Sequence, residues 1–312
     1  MKKNSSSLWS PDEDVKKNSN LEFFCRNLSR KNLLKYKSDF KHIWKWSVNK
    51  PEIFWPEVWD YTRIKGIKGK TFLKKNKIFY KNSFFPDSKL NYAENLLSKK
   101  NDDIAIHFLS ENKNEKKITW KKLNENVCKF SYFLKTINIK EEERVAAYVP
   151  NTIETIVSFL AVSKNGLIWS SCSPDFGSKG VIDRFFQIKP KILITCDHYF
   201  YNGKKIDILE KIPEILKKIK SIKKVIVFPY GDNFKKKINP NYLDFYSILR
   251  NSKNDTTFKK FKFNHPLYIL YSSGTTGVPK CITHGAGNVL LEHNKEFSLH
   301  CNVPENDKIF YY

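Results

Sequence analysis

A chain of 312 residues can form one large α/β domain or two smaller ones. Its content of 40% hydrophobic and 15% aromatic residues excludes a disordered protein. The net charge of +24 would suit a nucleic-acid partner, but the lysines are dispersed and accompany no known nucleic-acid-binding module, so no specific nucleic-acid binding is expected.

Cysteine spacing and apolar runs limit the cellular location. The six cysteines show no C-x-x-C spacing and are too sparse for a disulfide scaffold, which is typical of reduced thiols. Residues 11–14, Pro-Asp-Glu-Asp, occupy the place where a signal peptide would need its apolar core. Because no apolar run is long enough to cross a bilayer, we expect a cytoplasmic protein without a membrane span.

The N-terminal part of the chain divides by composition into a polar and an aromatic segment. Residues 1–40 are rich in lysine and predict loosely attached helices. Residues 40–61 are rich in aromatic side chains at helical spacing, which is more typical of packing than of a ligand site. Pro51 suits the first turn of a helix there, whereas Pro56 would remove a helical N–H and should bend or shorten that helix.

After residue 100 the pattern alternates between short apolar strands and longer helices. The predicted strands cover residues 104–109, 144–149, 167–172, 192–196, 224–228 and 266–270. The predicted helices cover residues 120–134, 152–164, 179–188 and 288–299. This alternation predicts an α/β fold with a mostly parallel sheet flanked by helices. Residues 230–263 lack clear periodicity and are interpreted as an excursion before the next strand.

The last predicted helix carries two histidines that could suggest a metal site. His293 and His300 lie seven residues apart and therefore roughly on one face. A zinc site needs three or four ligands, and no third ligand is visible. We therefore expect no metal site built from these histidines.

A loop rich in hydroxyl groups follows the strand at residues 266–270. Residues 272–280 contain four hydroxyl side chains, two glycines and one lysine. Polyphosphate needs many short donors and a cation, and glycine lets backbone N–H groups approach its oxygen atoms. The spacing differs from a Walker A loop, because only two residues separate Gly274 from Gly277 and Cys281 follows Lys280. An ordinary surface loop of serine, threonine and glycine is the alternative.

The loop sequence Ser-Ser-Gly-Thr-Thr-Gly-Val-Pro-Lys resembles the phosphate-binding signature of the AMP-forming acyl-CoA synthetases, in the adenylate-forming superfamily. Five further segments resemble, in the same order, those of the acetoacetyl-CoA synthetases. They are residues 90–97, 144–151, 169–177, 183–190 and 284–293. The resemblance extends from about residue 44 to the end of the chain.

This resemblance implies the domain organisation and the cofactors. Residues 1–98 would form an N-terminal extension like that of the acetyl-CoA and acetoacetyl-CoA synthetases, and residues 99–312 an incomplete AMP-binding domain. The family uses ATP, Mg²⁺ and CoA: the acid attacks the α-phosphorus of ATP, and CoA then displaces AMP. The residues that would hold the β- and γ-phosphates are Ser272, Ser273, Gly274, Thr275, Thr276, Gly277 and Lys280.

The resemblance gives weaker indications for CoA. Related synthetases bind a CoA phosphate with arginines after an Ile-Thr-x-Asp strand, and the segment after Ile194-Thr-Cys-Asp197 offers Lys204 and Lys205 instead. These lysines are candidate CoA-binding residues, although a solvated charge pair is an equal alternative. Arg184 is a further candidate, with a structural role as its alternative.

The chain stops at Tyr312, about where the family continues into a Thr-Thr-Thr-Gly-Trp segment. The family's adenylation lysine lies beyond this point, so no catalytic residue is assigned. The expected function is an acetoacetate–CoA ligase that is truncated and inactive on its own, with a short keto acid as substrate. Two alternatives stay open: a ligase for acetate or propionate, and a non-catalytic nucleotide-binding remnant or half of a split enzyme.

Overall fold

The computed structural model describes residues 9–35, 39–231, 234, 237–272 and 277–310. Their contacts divide the chain into two compact units. One comprises Met1–Ser88 with Asn288–Tyr312, and the other comprises Lys89–Gly287. The expectation of an extension over residues 1–98 and an AMP-binding domain over residues 99–312 is a statement about homology, and it stays a prediction.

The first unit is mostly helical. Its helices are α1 (Glu13–Lys17), α2 (Asn20–Arg30), α3 (Phe40–Asn49) and α4 (Pro51–Tyr61), and its strands are β1 (Gly66–Ile67), β2 (Leu73–Lys74) and β3 (Ser83–Phe84). A 3₁₀ turn covers Phe79–Lys81, and a π-helical turn at Glu296–His300 contacts α2.

Helix α2 is packed more firmly than the sequence predicted. Its first turn is capped by Ser19, whose hydroxyl accepts the N–H of Glu22 at 3.2 Å. Phe24 and Leu28, four residues apart, are only 1% and 0% exposed. The prediction of loosely attached helices is therefore wrong for α2, because its apolar face outweighs its polar composition.

Helix α4 starts at Pro51 as predicted and continues through Pro56 to Tyr61. The expected shortening at Pro56 does not occur. Aromatic packing on the N-terminal side of this proline offsets the missing hydrogen bond: the ring of Phe54 meets that of Phe24 edge to face, with centroids 6.1 Å apart. On the C-terminal side, Val58 is fully buried.

The second unit opens with the elements β4 (Lys89–Leu90), α5 (Tyr92–Leu96), β5 (Ile104–Leu109), β6 (Glu115–Thr119), α6 (Trp120–Thr136), β7 (Arg144–Tyr148), α7 (Ile153–Lys164), β8 (Ile168–Cys172), α8 (Ser178–Ile188) and β9 (Ile192–Cys196). It continues with β10 (His198–Tyr201), β11 (Lys204–Asp207), a 3₁₀ turn (Leu209–Lys211), α9 (Ile212–Lys218), β12 (Lys224–Phe228), β13 (Leu243–Asp244), α10 (Phe245–Asn251), β14 (Phe261–Lys262), β15 (Pro266–Ser272) and β16 (Lys280–Gly285). Helix α11 (Ala286–Lys295) begins where this unit ends.

Seven strands of the second unit form one sheet in the order β13-β12-β9-β7-β8-β15-β16. Neighbouring strands are parallel, except that β16 runs antiparallel to β15 at one edge. Every residue of the interior strand β9 is buried, as in a sheet whose two faces are covered. The predicted α/β fold with a mostly parallel, helix-flanked sheet is confirmed.

The described part of the segment at residues 230–263 contains short regular elements. It contains β13, which pairs with β12, and α10, whose first turn is capped by Asp244. It also contains β14, which pairs with β4. The sequence shows no clear periodicity here because elements of two to seven residues are too short to show a hydrophobic period. The interpretation of the segment as an excursion before β15 stays a prediction.

No helix in the described ranges combines the length and the apolar character that crossing a bilayer requires.

We predict that Leu134→Ala destabilises the second unit. Leu134 lies on α6 and is 0% exposed, so the substitution leaves a cavity that costs about 2–5 kcal/mol of unfolding free energy. Urea unfolding followed by circular dichroism measures the change. Lys121→Ala is the matched control, because this α6 side chain is 70% exposed and should change stability by less than about 0.5 kcal/mol. An equal effect of the two substitutions would contradict the packing of α6.

Candidate active site

The parallel strands of the sheet all end at one edge, and ligands of open α/β sheets bind there. Strands β7, β8 and β9 end at Tyr148, Cys172 and Cys196, and β15 ends at Ser272. The hydroxyl-rich loop starts directly after β15. The fold thus places this loop at the edge where a ligand site is expected.

The two ends of this phosphate loop, residues 273–279, are held by paired strands. Strand β15 pairs with β16 so that Ser272 lies directly opposite Lys280. Of the predicted phosphate ligands, Ser272, Gly277 and Lys280 lie in the described part of the chain. The remaining four lie outside the described residues: Ser273, Gly274, Thr275 and Thr276.

Gly277 has a backbone conformation that favours glycine. Its φ angle is +98°, in the region that side chains with a Cβ rarely adopt. Apart from its two chain neighbours, no described residue has an atom within 4 Å of the position that a Cβ would take, so backbone conformation is the constraint seen here. The side chain of Lys280, three residues later, is exposed and can bring its ammonium group to an anion.

Buried hydroxyl groups support the strand that leads into the loop. Ser170 on β8 is fully buried, and its Oγ lies 2.9 Å from the carbonyl oxygen of Ile269 and 3.0 Å from the hydroxyl of Tyr271. Burial raises the pKa of Tyr271 above its usual value, so this phenol stays neutral. The end of β15 is therefore fixed to its neighbour in the sheet.

The loop at residues 173–177 follows β8 at the same edge. The hydroxyl of Tyr148 lies 3.0 Å from the carbonyl oxygen of Pro174, and the hydroxyl of Tyr199 lies 3.0 Å from a carboxylate oxygen of Asp175. Burial and the Asp175 carboxylate raise the pKa of Tyr199 to about 12, so it donates as a neutral phenol. This loop is anchored from two strands.

Helix α8 contributes polar side chains beside the phosphate loop. The guanidinium carbon of Arg184 lies 4.0 Å from the ring centroid of Phe176 and 5.8 Å from that of Tyr271. One turn later, Gln187 donates a hydrogen bond of 2.9 Å from its side-chain amide to the carbonyl oxygen of Pro279. The structure thus brings Arg184 next to the strand that leads into the loop.

Lys204 and Lys205 also lie beyond the carboxyl end of a sheet strand, but a different one from the strand that leads into the loop. They are exposed and belong to the β10–β11 hairpin that follows β9, a strand separated from β15 by β7 and β8. At the tip of this hairpin the backbone N–H groups of Asn202 and Gly203 donate to the carboxylate of Glu111, at 3.2 and 3.1 Å. The three candidate CoA residues are therefore not brought into one cluster.

Several residues of this edge escaped the sequence analysis. Tyr148, Tyr271 and Gln187 all contact the loops described above, but no motif marked them as functional. The only signal for Gln187 was its place in the family-like segment at residues 183–190.

The two histidines of the C-terminal part show local contacts. His300 Nδ1 lies 3.2 Å from a carboxylate oxygen of Glu296, and the ring centroid of His293 lies 6.4 Å from that of Phe297. Within the described residues, no group of three or more His, Cys, Asp or Glu side chains could hold a metal ion.

Comparison with protein families shows the family to which this chain belongs. The family described as AMP-binding enzyme matches residues 93–310, which includes the sheet and the phosphate loop. This chain belongs to the AMP-binding enzymes. Members of this family that are AMP-forming acyl-CoA synthetases use ATP, Mg²⁺ and CoA.

Individual relatives of this AMP-binding enzyme are acetoacetyl-CoA synthetases. The one from Rhizobium meliloti (strain 1021) is 38% identical, and the one from Xenopus tropicalis is 40% identical; each match covers 98% of this chain and 47% of the relative. The solved structure of acetoacetyl-CoA synthetase from Streptomyces lividans matches with a TM-score of 0.91 at 29% identity, over 97% of this chain and 47% of the other. The predicted resemblance is confirmed, and the chain spans about half the length of these relatives.

We predict that Gly277→Ala weakens the binding of inorganic pyrophosphate. An alanine at positive φ is strained by about 1–2 kcal/mol, which corresponds to roughly 5- to 30-fold in affinity if the loop must keep its shape to bind. Titration calorimetry measures this affinity. Gly203→Ala is the matched control, because Gly203 also has a positive φ and open space but lies in the β10–β11 hairpin. Equal pyrophosphate affinities of the two variants would show that anion binding does not depend on the backbone conformation of Gly277.

Proposed function

We propose that this chain supplies the phosphate-binding part of an acetoacetate–CoA ligase. The observation that carries the proposal is the position of the phosphate loop: it joins β15 to β16 at the carboxyl edge of a parallel sheet. Support comes from the similarity to acetoacetyl-CoA synthetases over 98% of the chain. The proposed reaction converts ATP, acetoacetate and CoA into AMP, pyrophosphate and acetoacetyl-CoA.

A carboxylate is a poor acyl donor, because its leaving group would be an oxide dianion. Attack of the acetoacetate carboxylate on the α-phosphorus of ATP releases pyrophosphate and leaves an acyl-AMP, whose carbonyl carbon carries a good leaving group. The CoA thiolate then attacks this carbon and displaces AMP. No protein nucleophile is needed, so catalysis consists of positioning the reactants and neutralising charge on the phosphates.

In this proposal the phosphate loop holds the β- and γ-phosphates and the departing pyrophosphate. The residues proposed to bind these phosphates are the loop residues Ser273, Gly274, Thr275, Thr276 and Gly277 together with Ser272 and Lys280, which flank the loop. Mg²⁺ usually binds through phosphate oxygens and only one or two carboxylates, so it would enter with ATP and neutralise phosphate charge. Lys204, Lys205 and Arg184 remain proposed CoA-binding residues, and the cytoplasm remains the proposed location.

The acid substrate is tested with the product of the complete gene, expressed from its genomic locus so that any sequence after codon 312 is retained. Pyrophosphate release from ATP should be several-fold faster with acetoacetate than with acetate or propionate. If pyrophosphate release is faster with acetate or propionate, that acid replaces acetoacetate as the proposed substrate. ATP binding without release under any of the three acids would favour a non-catalytic nucleotide-binding role.

A polypeptide limited to residues 1–312 tests the contribution of this part alone. It spans only 47% of the relatives' length, so we propose that it binds ATP but does not turn it over. Acetoacetate-dependent pyrophosphate release from this polypeptide, above that of its Lys280→Ala variant, would contradict this proposal.

We predict that Lys280→Ala weakens ATP binding by residues 1–312. Loss of one charge-assisted phosphate contact should cost about 1.5–3 kcal/mol, which is roughly a 10- to 150-fold loss of affinity. Titration of ATP followed by calorimetry measures the change. Lys262→Ala is the matched control, because Lys262 is also an exposed strand lysine and removes the same charge away from the loop. An unchanged ATP affinity of the Lys280→Ala variant would show that Lys280 does not contact the ATP phosphates.

A further inference from the structure

Helix α8 meets the chain on both sides of the phosphate loop. Arg184 lies against Tyr271, two residues before the loop begins, with 5.8 Å between its guanidinium carbon and the ring centroid. Gln187 lies one helical turn further and contacts the chain where the loop ends. Residues three apart on a helix share a face, so one face of α8 reaches both flanks of the loop.

The amide of Gln187 is fully engaged in this position. Its Nε2 donates to the carbonyl oxygen of Asp183 at 2.8 Å and to that of Pro279 at 2.9 Å. Its Oε1 lies 3.6 Å from the Sγ of Cys281, which can donate a weak S–H hydrogen bond. Pro279 and Cys281 are the two neighbours of Lys280, so Gln187 contacts the chain on either side of this lysine.

We propose that Gln187 is a positioning residue that fixes Lys280 for phosphate binding. The inference rests on the proposed function and names a residue that acts through its neighbours. Gln187 contacts a backbone oxygen and a thiol, so it acts by holding the backbone from which the Lys280 side chain extends. Arg184 assists from the other flank, where its guanidinium group lies near the rings of Phe176 and Tyr271.

The position of Lys280 at the end of an edge strand explains why such a contact is needed. Strand β16 has a neighbour in the sheet on one side only, and Lys280 is its first residue. Terminal residues of edge strands open at low free-energy cost, because few hydrogen bonds must break. A phosphate site gains affinity when its cation is already in place, since less ordering remains to be done on binding. The bond from Gln187 to Pro279 supplies this order from outside the sheet.

The test compares Gln187→Met with Phe186→Leu in the full chain. Methionine keeps the length of the side chain but removes both hydrogen bonds to the loop flank. Phe186 is the control because it neighbours Gln187 on α8 and its side chain is 59% exposed. Hydrogen exchange of the backbone N–H groups of β9 and of residues 277–282, among which Pro279 has none, is measured without nucleotide.

In Gln187→Met, residues 277–282 should exchange about fivefold faster than in the unmodified chain, because the flank opens more often. Exchange in β9 should be unchanged, and Phe186→Leu should match the unmodified chain. Unchanged exchange at residues 277–282 in Gln187→Met would overturn the proposal. Faster exchange in both segments would also overturn it, since that result shows a general loss of stability.

ATP titrations of the same proteins separate this inference from the proposed function. Gln187→Met should bind ATP about tenfold more weakly than the unmodified chain, because a smaller fraction of molecules holds Lys280 in place. Binding that is equal in both proteins would overturn the positioning role while leaving the proposed function intact. An unmodified chain that fails to bind ATP would overturn the proposed function, and the exchange data would still decide whether Gln187 orders the loop flank.

Discussion

The antiparallel pairing of β15 with β16 is the interaction on which the candidate site depends. A parallel strand delivers Ser272 to the edge of the sheet where ligands bind, and the immediate return of the chain places Lys280 opposite it. The hydroxyl-rich segment between them is thereby closed at both ends. Without this return, Ser272 and Lys280 would not lie opposite each other. The lysine charge would then have no fixed position relative to the hydroxyl donors.

Much of the sheet could be predicted from the sequence. Its strands at residues 192–196 and 224–228 have the predicted bounds, because runs of β-branched and aromatic residues between longer helices are a strong signal. The strand that leads into the phosphate loop was also predicted, since an apolar run at residues 266–270 precedes the glycine-rich segment. The family followed from the spacing of glycine, threonine and lysine, which few other sites require.

Side-chain contacts across the fold could not be predicted in this way. Arg184 meets Tyr271 because α8, which follows β8 in the chain, lies against the end of β15, the neighbour of β8 in the sheet. Sequence spacing sets which residues share a face of α8, but not which strand that face meets. The continuation of α4 through Pro56 is a similar case, since packing of Phe54 and Val58 decides it and helix propensity does not.

The first unit is assembled from two stretches of chain separated by the whole of the second. The backbone N–H of Asn20 donates to the side-chain oxygen of Asn302 at 2.8 Å, and α2 also packs on the turn at Glu296–His300. A ribosome releases Asn20 long before it adds Asn302. Synthesis therefore completes the second unit, which is continuous in sequence, before it completes the first unit. Until then the N-terminal helices of the first unit lack their packing partners from the C-terminal stretch.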